Sequence, residues 1–297
     1  MKNKIKIIIW FLLIVIITIF STVPIEKKHH QTSWMKDLSD DTLINDMSIP
    51  GTHDSGARHS IFDVAGICQD LSIKNQLNIG VRFLDLRLQL VNDEFKIVHS
   101  FVDQNLKFDQ VLKDITDFIK ENNQEFILIS IKKEADDINS KQSFSQALLN
   151  ELTKYKEIST DVLPNTLGLA RGKIYILSRC DLNVGINAYN GWSDSTTFVL
   201  DDLYIQDNYS IDEVLEKQED IIKTLNYSKD NNDKLVLNFT SCYLDNAFPP
   251  TYSGTAASTI NPWLINYLKN FNGDTGIIIT DFITKNLAES IYMRNFR

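Results

Sequence analysis

Phe126-Ile127-Leu128-Ile129 and Ile277-Ile278-Ile279 are short apolar runs without polar alternation. A strand of this kind is buried on both faces, as in a parallel sheet covered by helices. Outward from these two, candidate strands run over 44–49, 81–90, 95–99, 125–131, 173–177, 203–205, 234–239 and 276–280. Between them the apolar spacing becomes helical. Phe108, Val111, Leu112, Ile115, Phe118 and Ile119 form one stripe, and similar stripes run over 144–155, 211–225 and 262–271. Strands alternating with helices in a chain of 297 residues predict an α/β protein built as a single distorted TIM (β/α)8 barrel. A doubly wound open sheet is the other arrangement the pattern allows. The link from Val91 to Phe95 is too short for a helix, so irregularity is expected there.

In such a barrel, polar residues at the C-terminal strand ends face one shared pocket. Here they recur strand after strand: His53 and Asp54, Asp85 and Arg87, His99, Lys132 and Glu134, Arg179, Asp207 and Tyr209, and Asp281. Histidine titrates near neutrality, so His53 and His99 can serve as a general base and a general acid. His59 lies in a polar loop away from any strand end and is read as structural. Around His53, the glycines of Ile49-Pro50-Gly51-Thr52-His53-Asp54-Ser55-Gly56 permit a tight strand exit. Asp85 and Arg87 are two residues apart on one strand and therefore share a face. An inward Arg–Asp pair can be a buried ion pair, or a guanidinium held ready for a phosphate.

A net charge of −9 argues against nucleic acid, whose binding draws on Lys and Arg. It also argues against strong attraction to anionic membranes, but not against shallow apolar contact with lipid. At the N-terminus, Lys2, Lys4 and Lys6 flank an apolar run from Ile5 to Phe20 followed by Ser21-Thr22-Val23-Pro24. This is the pattern of an export signal. No Ala-x-Ala site follows, and the run is just short of the roughly 20 residues that span a bilayer. Residues 1–30 are thus a signal peptide or a membrane anchor, and 31–297 the barrel, placed outside the cytoplasm as a secreted or surface-tethered protein. Cys68, Cys180 and Cys242 are widely spaced, with no Cys/His cluster to hold a metal. They read as small buried hydrophobes, with a single disulfide open in an exported protein.

The motif Ser48-Ile49-Pro50-Gly51-Thr52-His53-Asp54-Ser55-Gly56 resembles that of the bacterial phosphatidylinositol-specific phospholipases C, the PI-PLC X-domain family. Further matches follow in order: 80–87, Ile97-Val98-His99, 129–134, 170–174, 206–209, 238–241 and Ile279-Thr280-Asp281-Phe282. Together they cover nearly all of the chain after the leader. The resemblance implies a distorted barrel that cleaves phosphatidylinositol into diacylglycerol and inositol 1,2-cyclic phosphate. It implies His53 as base on the inositol 2-hydroxyl and His99 as acid on the leaving oxygen. Arg87 with Asp54 would hold the phosphate, Asp281 would orient His53, and Asp85 would stand beside Arg87. Lys132, Arg179, Asp207 and Tyr209 match the inositol-binding residues, with Tyr209 stacked on the sugar.

No metal or cofactor is expected. Calcium needs about six to eight oxygen ligands, and Arg87 places a fixed positive charge where the calcium-dependent relatives carry a carboxylate. The expected partner is phosphatidylinositol or a glycosyl-phosphatidylinositol lipid at a membrane surface, met by a monomer that binds no nucleic acid. Two departures stand out. Ser100-Phe101 follow His99 where the family usually has glycine. The family's early rim tryptophan is absent, leaving Ile61, Phe62 and Phe248 as candidate interfacial contacts; Trp192 falls in an active-site loop. Rival readings are a metal-dependent glycerophosphodiester phosphodiesterase and a catalytically inactive barrel that binds inositol headgroups.

Overall fold

The computed structural model describes residues 31–60, 66–245 and 253–297. The N-terminal leader and Ile61, Phe62 and Phe248 lie outside the described residues. In chain order the strands are β1 (Ser48–Thr52), β2 (Phe83–Val91), β3 (Glu94–His99), β4 (Val102–Lys107), β5 (Ile127–Lys133), β6 (Ile174–Arg179) and β7 (Ile186–Asn187). After these come β8 (Thr197–Leu200), β9 (Leu203–Gln206), β10 (Ser210–Ile211), β11 (Leu235–Phe239), β12 (Tyr243–Leu244) and β13 (Gly276–Thr280). One curled sheet runs β7-β6-β5-β2-β1-β13-β11-β9-β8. Every neighbouring pair from β7 to β9 is parallel, and β8 turns back antiparallel on β9. Among the described residues no ladder joins β7 to β8. The barrel is therefore open along that seam, which is where it departs from the closed form.

Helices cross between parallel strands at each of the four apolar stripes, and Ile73–Asn78 and Lys285–Tyr292 are two more that no stripe marks. Ile73–Asn78 lies between β1 and β2, and Phe108–Glu121 leads into β5. Phe144–Leu152 leads toward β6, Val214–Asp230 into β11 and Ser253–Asn270 into β13, with Lys285–Tyr292 last. The stripe expected from Pro262 begins earlier. Ala256, Ala257, Ile260, Leu264 and Leu268 are all buried on one helix with Pro262 inside it.

The expected strand over 95–99 exists but is not a barrel strand. Asn92 and Asp93 both adopt left-handed backbone, with φ 53° and 64°. That geometry makes a two-residue hairpin turn whose twist matches the flanking strands. β3 accordingly folds back antiparallel on β2, pairing Leu88 with Ile97 and Leu90 with Phe95. This is the irregularity expected after Val91. The eighth parallel strand is instead the two-residue β7.

Side chains alternate across each strand, and the two faces fill two cores. Leu84, Leu86, Leu88, Ile127, Ile129, Ile131, Ile174 and Ile176 pack outward against the helices. Ile49, Phe83, Leu128, Tyr175, Leu177, Leu203, Ile205, Leu235, Leu237, Phe239, Ile277 and Ile279 fill the barrel, with Trp34 and Met35 packed against them. Each inward row, followed two residues at a time, changes from apolar to polar. Phe83 leads to Asp85 and Arg87, Leu128 to Ser130 and Lys132, and Leu177 to Arg179. The register sets these polar ends side by side: Arg87 is opposite Lys132, and Lys132 opposite Arg179.

Candidate active site

The polar ends open into a cavity of about 650 Å³. His53, Arg87, His99, Lys132, Arg179, Asp207, Tyr209 and Asp281 all line it. Asp54 and Asp85 are buried immediately behind. All ten expected residues are thereby brought together. His59 is exposed and does not line the cavity, in keeping with its structural reading.

The strand exit that carries His53 is tied down from both sides. The His53 amide donates to Thr280 O (3.0 Å), and Gln69 Nε2 donates to both His53 O (2.9 Å) and Thr280 O (2.8 Å). The amides of Asp54 and Ser55 donate to Asp85 Oδ2 (3.3 Å) and Asp85 O (2.8 Å), fastening the turn to β2. The sharp residue of this turn is Asp54 itself, at φ 42°, and not a glycine. The neighbouring glycines serve close packing. A Cβ on Gly56 would stand 2.6 Å from Ile97 Cγ2, and one on Gly51 3.1 Å from Phe83 Cβ.

His53 Nδ1 lies 2.8 Å from Asp281 Oδ1, and its Nε2 lies 2.8 Å from Arg87 Nη2. A guanidinium can only donate, so Nε2 accepts and the proton of the neutral ring sits on Nδ1, facing Asp281. That is the tautomer a base needs: the Nε2 lone pair, here covered by the Arg87 donor, is on the cavity side of the ring. Burial alone would lower the His53 pKa. The Asp281 and Asp54 carboxylates outweigh it and raise the value above 6.5.

Arg87 is the hub. Its Nε is 3.0 Å from Asp54 Oδ1 and 3.3 Å from Asp85 Oδ2, and its Nη1 is 3.3 Å from Glu134 Oε1. Burial would lower the Arg87 pKa, but these carboxylates hold it well above its ordinary value and keep the charge permanent. Asp85 answers in kind: against its burial, Arg87 and Arg179 drive its carboxyl well below the usual range. Burial instead pushes the Asp54 carboxyl up, against the pull of Arg87, His53 and His99. Asp54 Oδ2 is 3.4 Å from both His53 Nε2 and His99 Nε2. It is buried and has no hydrogen-bond partner among the described residues, so its free lone pairs face the space between the two imidazoles.

His99 ends β3, and the turn beyond it has the backbone geometry that suits glycine. Ser100 takes φ 52°, the left-handed region where glycine is at ease and other residues are strained. The Ser100 amide donates to Glu134 Oε1 (3.2 Å), and Glu134 Oε2 pairs with Lys132 Nζ at 2.8 Å. Glu134 thus links the acid loop to Arg87 and Lys132. On the far wall the Arg179 guanidinium stacks 3.7 Å from the Trp192 ring centre, and Trp192 Nε1 donates to Asp207 Oδ2 (3.0 Å). Tyr209 donates its hydroxyl to Asp194, a bond that pushes its pKa up to about 12.

Some contributors leave little trace in sequence. Gln69 acts through main-chain atoms, and Asp194 comes from the irregular segment at the barrel seam. Glu134 is visible as a strand-end carboxylate, but its link to the Ser100 amide requires the hairpin. Cys68, Cys180 and Cys242 are buried and free, so the small-hydrophobe reading holds and no disulfide forms. His53, Asp54 and Cys68 offer possible ligand atoms within 4.8 Å of one another. The donor set fits a divalent ion poorly. The Arg87 guanidinium already occupies the His53–Asp54 face, and burial holds the Cys68 thiol protonated, its pKa well above 9.0.

An incomplete TIM-type barrel with imidazole, guanidinium and carboxylate groups gathered in a pocket at its strand ends defines a barrel enzyme. Residues 47–180 match the family model described as phosphatidylinositol-specific phospholipase C, X domain. Over these residues the chain is similar to this PI-PLC X-domain family. It is 27% identical to 1-phosphatidylinositol phosphodiesterase of Listeria monocytogenes over 285 residues, covering 92% of this chain and 87% of the relative. A solved mutant structure of the Staphylococcus aureus phosphatidylinositol-specific phospholipase C superposes with a TM-score of 0.78 at 25% identity, covering 88% of this chain and 98% of that one. The Listeria monocytogenes phospholipase structure gives 0.74 at 25%, covering 89% and 98%.

Proposed function

We propose that the chain is a phosphatidylinositol-specific phospholipase C that works by intramolecular phosphoryl transfer without a metal. The observation that carries this reading is Arg87, bonded to His53 Nε2 and to Asp54, whose other oxygen spans both imidazoles. In the proposed first step the inositol 2-hydroxyl gives its proton to His53 Nε2 as its oxygen attacks the adjacent phosphorus. The bond from phosphorus to the glycerol oxygen breaks, and His99 supplies the proton that oxygen takes up. Diacylglycerol and inositol 1,2-cyclic phosphate result. Water can then open the cyclic ester with the two histidines in exchanged roles.

In this scheme the phosphate draws Arg87 away from His53, freeing the lone pair it had been shielding, and the guanidinium stabilises charge building on the equatorial oxygens. Asp281 holds the His53 tautomer and steadies the imidazolium. Asp54 aims Arg87 through one oxygen and steadies protonated His99 through the other, while Asp85 anchors Arg87 from behind. Lys132, Arg179, Asp207 and Tyr209 would hold the inositol ring, with the Tyr209 face toward it.

The second product is a lipid, so the enzyme works at a membrane surface. Phe101, two residues beyond His99, is 82% exposed. It supports shallow apolar contact with the bilayer in place of the absent rim tryptophan. Among the described residues no helix is long and apolar enough to cross a membrane. Export, by a cleaved or retained leader, stands on the sequence pattern of residues 1–30, and a monomer suffices because one chain supplies every group invoked.

Incubation with phosphatidylinositol vesicles in EDTA, followed by phosphorus NMR, tests the proposal. Inositol 1,2-cyclic phosphate is the expected signal. Activity abolished by EDTA would favour a metal-dependent phosphodiesterase, and headgroup binding without turnover an inactive barrel.

A further inference from the structure

Lys217 lies on the inner face of the Val214–Asp230 helix with no exposed surface. A buried ammonium ordinarily has a carboxylate partner. Here Nζ donates to two neutral oxygens instead, Gln206 Oε1 (2.9 Å) and the main-chain oxygen of Asn208. These two residues bracket Asp207. Gln206 Oε1 also accepts the Asn208 amide (2.8 Å), and its Nε2 donates to Asn238 Oδ1 (2.9 Å) and Phe239 O (2.7 Å). One helical turn beyond Lys217, Asp220 Oδ2 accepts from Asn208 Nδ2 at 2.8 Å. Ser195 Oγ donates to Asn208 Oδ1 (3.1 Å) and accepts the amides of Tyr209 (3.2 Å) and Ser210 (3.0 Å).

The side chains of Gln206 and Asn208 thus hold the turn from behind, while those of Asp207 and Tyr209 line the cavity. We propose that Lys217 is a positioning residue for substrate binding, whose ammonium locks the 206–209 turn so that Asp207 and Tyr209 meet the inositol ring. This rests on the function proposed above. Lys217 touches neither the cavity nor any reacting atom, so its removal should weaken recognition and leave the chemical step nearly intact.

The lock is also pH-sensitive. Burial lowers the Lys217 pKa to about 8, despite Cys242 and the Asp207, Asp220 and Asp281 carboxylates, which act the other way. Cys242 is itself pushed by burial up to about 11 and stays a neutral thiol over this range. The ammonium is present below about pH 8 and lost as pH rises through that value, when its charged hydrogen bonds weaken and the turn loosens.

The test uses the full chain, steady-state hydrolysis of inositol 1,2-cyclic phosphate in solution, and the variant Lys217→Met, which keeps an unbranched buried stem. Loss of a charged hydrogen bond predicts KM raised about tenfold with kcat changed less than about threefold. Wild-type KM should also climb between pH 7 and 9, and K217M should lack that climb. Unchanged KM with only a lower melting temperature would overturn the proposal. Should K217M not fold, the wild-type KM profile decides on its own, a flat profile refuting the lock. A wild type that turns over no inositol ester would instead refute the functional reading itself.

Discussion

Replacing Arg87 by lysine keeps the charge and removes the fork. In the structure Nε serves Asp54 and Asp85, Nη2 serves His53, and Nη1 serves Glu134. A single ammonium nitrogen can sit between Asp54 and Asp85 but cannot reach His53 and Glu134 from there as well. Two of the directions in which the guanidinium could meet a phosphate are lost. Removing one donor from a transition-state charge site costs about 10²–10³ in kcat, or about 2.7–4 kcal/mol, so R87K should lose about 10³-fold. Stability should fall much less, by about 2 kcal/mol, because charge is conserved beside the buried carboxylates and only charged hydrogen bonds of about 1.5–3 kcal/mol are exchanged. Initial rates of cyclic-ester release and a thermal melt on the same preparation separate the two effects. An R87K enzyme within threefold of the wild-type rate would refute the reasoning, since no bidentate clamp would then be needed.

His53→Ala and His99→Ala should each lower kcat about 10²–10⁴-fold with the fold intact; a variant that keeps most of its rate would remove that histidine from the mechanism. Because the His53 pKa is raised above 6.5 and the base must be neutral, kcat/KM should rise with pH through a midpoint above 6.5. Asp281→Asn should move that midpoint down, and an unmoved one would deny Asp281 its part. The same raised value means that His53 protonation stabilises the fold below 6.5, a contribution lost as pH climbs through the folded-state value. Ser100→Gly relieves a left-handed strain of about 1–2 kcal/mol against about 0.5–1 kcal/mol of added chain entropy. A net gain of about 0.5–1 kcal/mol should appear as a higher melting temperature, and a lower one would contradict the strain at φ 52°. Phe101→Ser should slow turnover of phosphatidylinositol in vesicles while leaving hydrolysis of the soluble cyclic ester unchanged; equal loss on both substrates would exclude a role at the lipid surface.

Much of this architecture could be seen in the order of the residues. Unbroken apolar runs such as 126–129 and 277–279 mark strands buried on both faces, and the three-and-four spacing of 108–119 marks the helix that covers them. Both are local consequences of side-chain period. The two-residue spacing of Asp85 and Arg87 likewise commits them to one face of a strand wherever that strand lies. The strand-end position of His53, Lys132, Arg179 and Asp281 is a property of the chain in the same sense, and so is their gathering once a barrel is assumed.

Tertiary structure decided what depends on how distant segments meet. Whether 94–99 is a barrel strand or a hairpin arm rests on Asn92 and Asp93 both turning left-handed, and only the folded arm carries His99 within 3.4 Å of Asp54. The open seam between β7 and β8, which supplies Trp192 and Asp194 to the cavity, has no periodic signature because its segments are irregular. Which carboxylate Arg87 prefers, and which nitrogen of His53 is free, depend on angles and distances of a few tenths of an ångström. Spacing along a chain determines which face a residue takes. Contact geometry between strands remote in sequence determines its charge partner, its tautomer and its pKa.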